Sequence, residues 1–122
     1  MQRMMREQNP AVLLAAWMAM NAAISRRLAP LHHVLVVAAD ADPDAALLAT
    51  TDDQRADGAR QVMDRVADLG GLRPGVQPDQ AAAIAEVLID PMPFQRLVGL
   101  RGWTFETYVE HLQRIAAASL LR

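Results

Sequence analysis

A chain of 122 residues is the size of one domain, and with no cysteine it holds no disulfide framework, thiolate metal site or cysteine nucleophile. The net charge is −2 and all twelve basic residues are arginine. The densest basic spots are only Arg3 with Arg6 and Arg26 with Arg27, which excludes the basic stripe of a domain that lives on DNA. Hydrophobic residues make up 52% of the chain but aromatic residues only 4%. The bulk therefore comes from Ala, Leu, Val and Met, which suit helix packing better than sheets.

In chain order, Met1–Gln8 reads as a short polar-faced helical turn. Asn9 followed by Pro10 is an N-cap and first helical position, and the helix it opens runs to about Leu28. Its first half, Ala11–Met20, is apolar on every face, as in a helix at the centre of a bundle. That run is half the length of a membrane span, which needs about 20 residues, and it lacks the flanks of a signal peptide. Pro30 opens a further helix, Leu31 to about Ala39. Asp42-Pro43-Asp44 starts a long helix that ends at Gly70-Gly71. Gly58 in its middle costs about 1 kcal/mol against Ala and permits a bend or a close helix crossing. Leu72–Gln77 is a loop, and Pro78 with Asp79 starts a helix to about Ile89. Asp90-Pro91-Met92-Pro93 breaks it, a short helix from Phe94 to about Leu100 stops at Gly102, and Thr104 caps the last helix. The expectation is one all-α domain over residues 1–122, a compact bundle of about six helices.

No pattern in the chain carries chemistry. Asp40, Asp42 and Asp44 alternate like the start of a calcium loop, but that loop's glycine and final glutamate positions hold Ala45 and Thr51. His32 and His33 are neighbours, so on a helix they diverge and do not share a metal. Neither Ser25 nor Ser119 sits in a nucleophile elbow. Gly70, Gly71 and Gly75 are not a phosphate loop, since no Lys-Ser/Thr follows them. No enzyme activity, metal or cofactor is expected.

A composite signature lies further on. Asp68-Leu69-Gly70-Gly71-Leu72-Arg73-Pro74-Gly75-Val76 is followed by Ala81-Ala82 and Ile84. Asp90-Pro91 then precedes Phe94, Leu97 and Val98. Arg101-Gly102-Trp103-Thr104 leads into Tyr108, Leu112, Leu120 and Leu121. Together with Asp42-Pro43 and Gln54-Arg55 upstream, this order and spacing resembles the C-terminal domain of tetracycline-repressor (TetR) family transcriptional regulators. The resemblance runs from about Pro10 to the end. It departs at Ala83 and Glu86, where the family often has Asp and Trp, and at His111, where it often has Trp. A full family member begins with about fifty residues of helix-turn-helix, for which this chain has no room ahead of the sensor portion.

The resemblance implies a sensor domain with two tasks. It encloses a small, largely apolar effector in a pocket, here around Trp17, Met20, Met63 and Val66, with His33 or Arg55 fixing a polar or anionic group. It also homodimerises through its last two long helices, packed as a four-helix bundle across a two-fold axis. The residues expected in that seam are Ile84, Val87, Leu88, Tyr108, His111, Leu112 and Ile115. In the last helix Tyr108, Leu112, Ile115 and Ser119 form one stripe, with Phe105, Val109 and Ala116 beside it. This is more apolar face than one small domain needs. The expected protein is cytoplasmic, has no membrane association and does not bind DNA directly. Two alternatives stay open: an interaction protein that heterodimerises with a full-length TetR-type regulator, and a truncated or split-gene remnant.

Overall fold

The structure, a computed structural model, describes the backbone of residues 1–39 and 44–122 and the side chains of residues 1–30 and 51–122. A single 3-10 turn, Met4–Arg6, precedes helix α1 (Pro10–Ala39). The Asn9 side chain caps α1, its Oδ1 accepting from the Ala11 and Val12 N–H groups at 2.9 and 3.4 Å. The expected break at Pro30 does not occur. Pro30 lies inside α1, which continues through it. Proline removes one N–H from the ladder and crowds the carbonyl four residues back, at a cost of about 3 kcal/mol, yet the 30-residue helix runs through it. The two helices expected on either side of Pro30 are therefore one. The start signal at Asp42-Pro43 lies outside the described residues.

Helix α2 (Asp44–Asp68) runs unbroken past Gly58. A Cβ at Gly58 would meet only the tip of Met1, at 3.9 Å, so no close crossing depends on that glycine. The helix ends in a Schellman motif. Gly70 takes φ 72°, its N–H bonds the Ala67 carbonyl, and the Gly71 N–H bonds that of Val66, both at 2.9 Å. Arg73-Pro74-Gly75-Val76 then makes a tight turn closed by the Val76 N–H on the Arg73 carbonyl at 3.1 Å. Pro74 and Gly75 (φ 88°) occupy the positions that a type II turn reserves for proline and for positive φ.

Helix α3 (Pro78–Leu88) stops before Asp90, whose carboxylate caps the single turn α4 (Pro91–Phe94) by accepting from the Met92 N–H at 2.8 Å. The chain continues as a π-helical stretch, Gln95–Leu100, with the Arg101 N–H reaching back five residues to Arg96. Helix α5 (Phe105–Leu120) starts on Thr104, whose Oγ1 accepts from the Thr107 N–H at 3.1 Å. α5 has 16 residues, but the penultimate segment is only 11 residues long before Asp90-Pro91 breaks it.

The fold is all-α, with no strand among the described residues and one isolated antiparallel bridge, Leu72 with Leu121. The Arg73 N–H bonds the Leu120 carbonyl and the Arg122 N–H bonds that of Gly71, each at 2.8 Å. These bonds tie the end of α5 to the loop after α2. α1 packs on both α2 and α5, and α3 packs chiefly on α2. One core joins them: Leu13, Leu14, Trp17 and Met18 of α1, Ala59, Val62, Met63 and Val66 of α2, Ala81 and Ala85 of α3, and Tyr108, Leu112, Ala116 and Leu120 of α5. Among the described residues no helix is long and apolar enough to cross a membrane.

Candidate functional site

Two groups of side chains were expected to carry function, and the structure treats them differently. Trp17, Met63 and Val66 come together in the core of α1 and α2, each 1% exposed or less. Met20, one turn after Trp17, is half-buried against the same cluster. The Trp17 carbonyl accepts from the Asn21 Nδ2 at 2.9 Å, so this turn of α1 is held by a side chain as well as by its ladder. Arg55 is 16% exposed and ion-paired with Asp52 on its own helix, so its charge already has a partner. The His33 side chain lies outside the described residues.

The residues expected in a dimer seam separate into an inner and an outer set. Tyr108 and Leu112 are 2% and 5% exposed and pack in the protomer's own core. The α5 stripe that turns inward is Tyr108, Leu112, Ala116 and Leu120, at the i, i+4 spacing of one helix face. Ile115 falls outside it and is 50% exposed. On α3 the inward stripe is Ala81 and Ala85, which leaves Ile84 at 39% and Val87 at 68% exposure. Leu88 and His111 are half-buried.

Ring contacts that the sequence pattern does not announce fix the start of α5. Phe94 meets Tyr108 edge-on, with centroids 5.6 Å apart and planes at 79°, the geometry that the ring quadrupole favours. Trp103 leans on His111 at 5.3 Å. The Arg26 guanidinium lies 3.8 Å above the Phe105 ring, a cation–π contact from α1 to α5. The Gln113 Nε2 adds a second tie by donating to the Ala15 carbonyl at 3.0 Å. No signal short of three-dimensional contact pairs these residues, because the partners of each pair do not share one helix.

Burial, with the Asp90 carboxylate as a second cause, pushes the Tyr108 hydroxyl up from 10.0 to about 12. A folded value above the unfolded one means that the native state holds its proton longer. Stability is therefore fully present below pH 10 and is lost as the pH rises through about 12. The expected result is a fall in stability across that window, read by urea unfolding at stepped pH. Tyr108→Phe should flatten the fall, and an unchanged slope in that variant would show that Tyr108 is not its source.

Among the described residues no three of His, Asp and Glu gather where a metal ion could sit. Among the described residues, geometry thus offers a packed α1–α2 core and exposed apolar side chains on α3 and α5. In comparisons with known proteins, no family model, no curated protein and no solved structure matches the chain.

Proposed function

We propose that this chain is a TetR-type sensor and dimerisation domain, which pairs with a second copy through α3 and α5 and takes a small, largely apolar effector among α1 and α2. The observation that carries the reading is the outer apolar face. With Ala81, Ala85, Tyr108 and Leu112 already spent on the protomer's own core, Ile84, Val87 and Ile115 still stand 39%, 68% and 50% exposed on the two helices that the resemblance assigns to the seam. Apolar side chains left outward on both helices would supply an interaction surface where they lie side by side. A two-fold pair would bury each of them twice.

Convergence of Trp17, Met20, Met63 and Val66 in one cluster supports the effector site. Methionine-rich surroundings repack at low cost around a guest. Since three of the four are sealed from solvent, the effector would favour an arrangement in which α1 and α2 part slightly. Its binding energy then depends on the difference between the two arrangements.

A native mass spectrum through a dilution series tests both halves. The expected species is a dimer at micromolar concentration, and retained small-molecule mass would supply the effector. Replacing Val87 and Ile115 together by Glu should weaken the dimer about ten-thousandfold, because a two-fold seam would hold four such carboxylates and each costs about 1.4 kcal/mol, a factor of ten. A chain that remains monomeric at micromolar concentration would remove the seam. A dimer indifferent to both substitutions would place it elsewhere.

A further inference from the structure

The turn Met4–Arg6 folds back beside the first turns of α1 and leaves an open cleft of about 560 Å³. Its floor is apolar: Met1, Met4, Val12 and Ala16 line it, with Val12 48% and Met1 46% exposed. Arg3 and Arg6 line the same cleft. Both are exposed, and among the described residues no ion pair reaches either one.

A third guanidinium stands behind the wall. Arg65 of α2 points its Nη2 at the Glu7 carbonyl at 3.5 Å, and its Nε is buried without a partner. The one carboxylate in the lining, Glu7, has its Oε2 turned onto the backbone N–H groups of Gln8 and Asn9 at 2.9 and 3.1 Å. The local balance is therefore positive over an apolar floor, in a chain whose net charge is −2. The lining is far smaller than the 20–30 residues per side of a stable protein interface, so its size favours a small molecule over a protein partner.

We propose that this cleft binds a free single-chain anionic amphiphile, such as a medium-chain carboxylate. Its alkyl chain would lie along Met4, Val12 and Ala16, and its headgroup would be held between Arg3 and Arg6. Guanidinium groups pair a carboxylate through two parallel N–H donors, and the methionine floor adapts to chain length. The site is separate from the α1–α2 effector site, and its failure would leave that reading intact.

The test is a titration of the full chain, labelled with carbon-13 at its methionine methyls, with sodium decanoate. Saturable shifts are expected at Met1 and Met4, while the core methyls of Met18 and Met63 stay in place. Decanol, with the same chain and no charge, should bind about tenfold more weakly. Arg3→Ala with Arg6→Ala should lose a similar factor, since exposed ion pairs are worth up to about fivefold each. Both arginines are surface residues, and an unchanged helical circular dichroism signal would confirm that the variant folds. Glu7→Gln should tighten binding about twofold. Equal binding of decanol and decanoate would overturn the proposal by removing the role of the arginines. Shifts confined to Met18, Met20 and Met63 would overturn it by moving the ligand into the core. Arginine-dependent sedimentation with phosphatidylglycerol vesicles, with no methyl shifts from decanoate, would overturn it in favour of a membrane surface.

Discussion

Trp17→Ala is expected to lose about 3–5 kcal/mol of stability, the usual cost of emptying a fully buried large aromatic site. Trp17 is 1% exposed and is among the largest fully buried side chains. Its cluster includes Leu13, Leu14 and Met18 on α1 and Val62, Met63 and Val66 on α2. Truncation removes the ring's own transfer energy and leaves a void that the neighbours, methionines included, fill only partly. For a domain whose total stability lies between roughly 5 and 15 kcal/mol, this is a large fraction. The midpoint of thermal unfolding, followed by circular dichroism, should fall by roughly 12–20 °C. Ile115→Ala is the contrast: that side chain is 50% exposed, and its loss in the monomer should stay under about 1 kcal/mol.

The same experiment bears on the proposed effector site. A cavity lined only by apolar groups stays dry and accepts an apolar guest of matching shape. Indole added to the Trp17→Ala variant should therefore restore part of the lost stability in proportion to its occupancy. A loss below about 1 kcal/mol would instead mean that the ring faces open space, and the α1–α2 site would already be a pocket.

The parts of this fold that the sequence makes legible are those set by local chemistry. Asn9 caps α1 and Thr104 caps α5 through the backbone donors that such side chains satisfy best. Gly70 ends α2 in the left-handed conformation that costs glycine nothing. The apolar run after Asn9 becomes the central helix, with Leu13, Leu14, Trp17 and Met18 all buried.

Local chemistry leaves other parts of the fold open. A proline signals a helix boundary because it removes a donor, yet at Pro30 the helix runs on. Gln95–Leu100 follows a five-residue bonding pattern for which its residues give no cue. The candidate seam shows the same limit. Periodicity marks α5 as apolar on adjoining stripes but does not say which one a neighbour covers. The dividing line falls between Leu112, 5% exposed, and Ile115, 50% exposed, only three positions apart. In sequence, Tyr108 and Leu112 look like seam residues; in the fold, α5 packs on α1 and both enter the core.

Gly71→Ala is expected to lose about 2–3 kcal/mol, at the upper end of what a single added methyl costs in a packed site. The added Cβ would lie 2.4 Å from the Pro10 Cβ and 2.6 Å from its Cγ. Neither neighbour has an easy retreat. The Pro10 ring is rigid and sits at the first position of a helix capped by Asn9. The Gly71 backbone is tied on both sides, its N–H to the Val66 carbonyl at 2.9 Å and its own carbonyl to the Arg122 N–H at 2.8 Å. Relief must therefore come from shifting the start of α1 against the end of α2 or from loosening the bridge to the C-terminus. Gly99→Ala is the control: a Cβ there meets nothing within 4 Å, and its effect should stay within about 0.5 kcal/mol. A double-mutant cycle separates the clash from the general loss of a glycine. Pro10→Gly deletes the opposing ring, so the pair should lose at least 1 kcal/mol less than the sum of the single variants. Strict additivity would mean that the start of α1 does not press on the loop after α2, and the close approach that joins the two ends of the core would have to be redrawn.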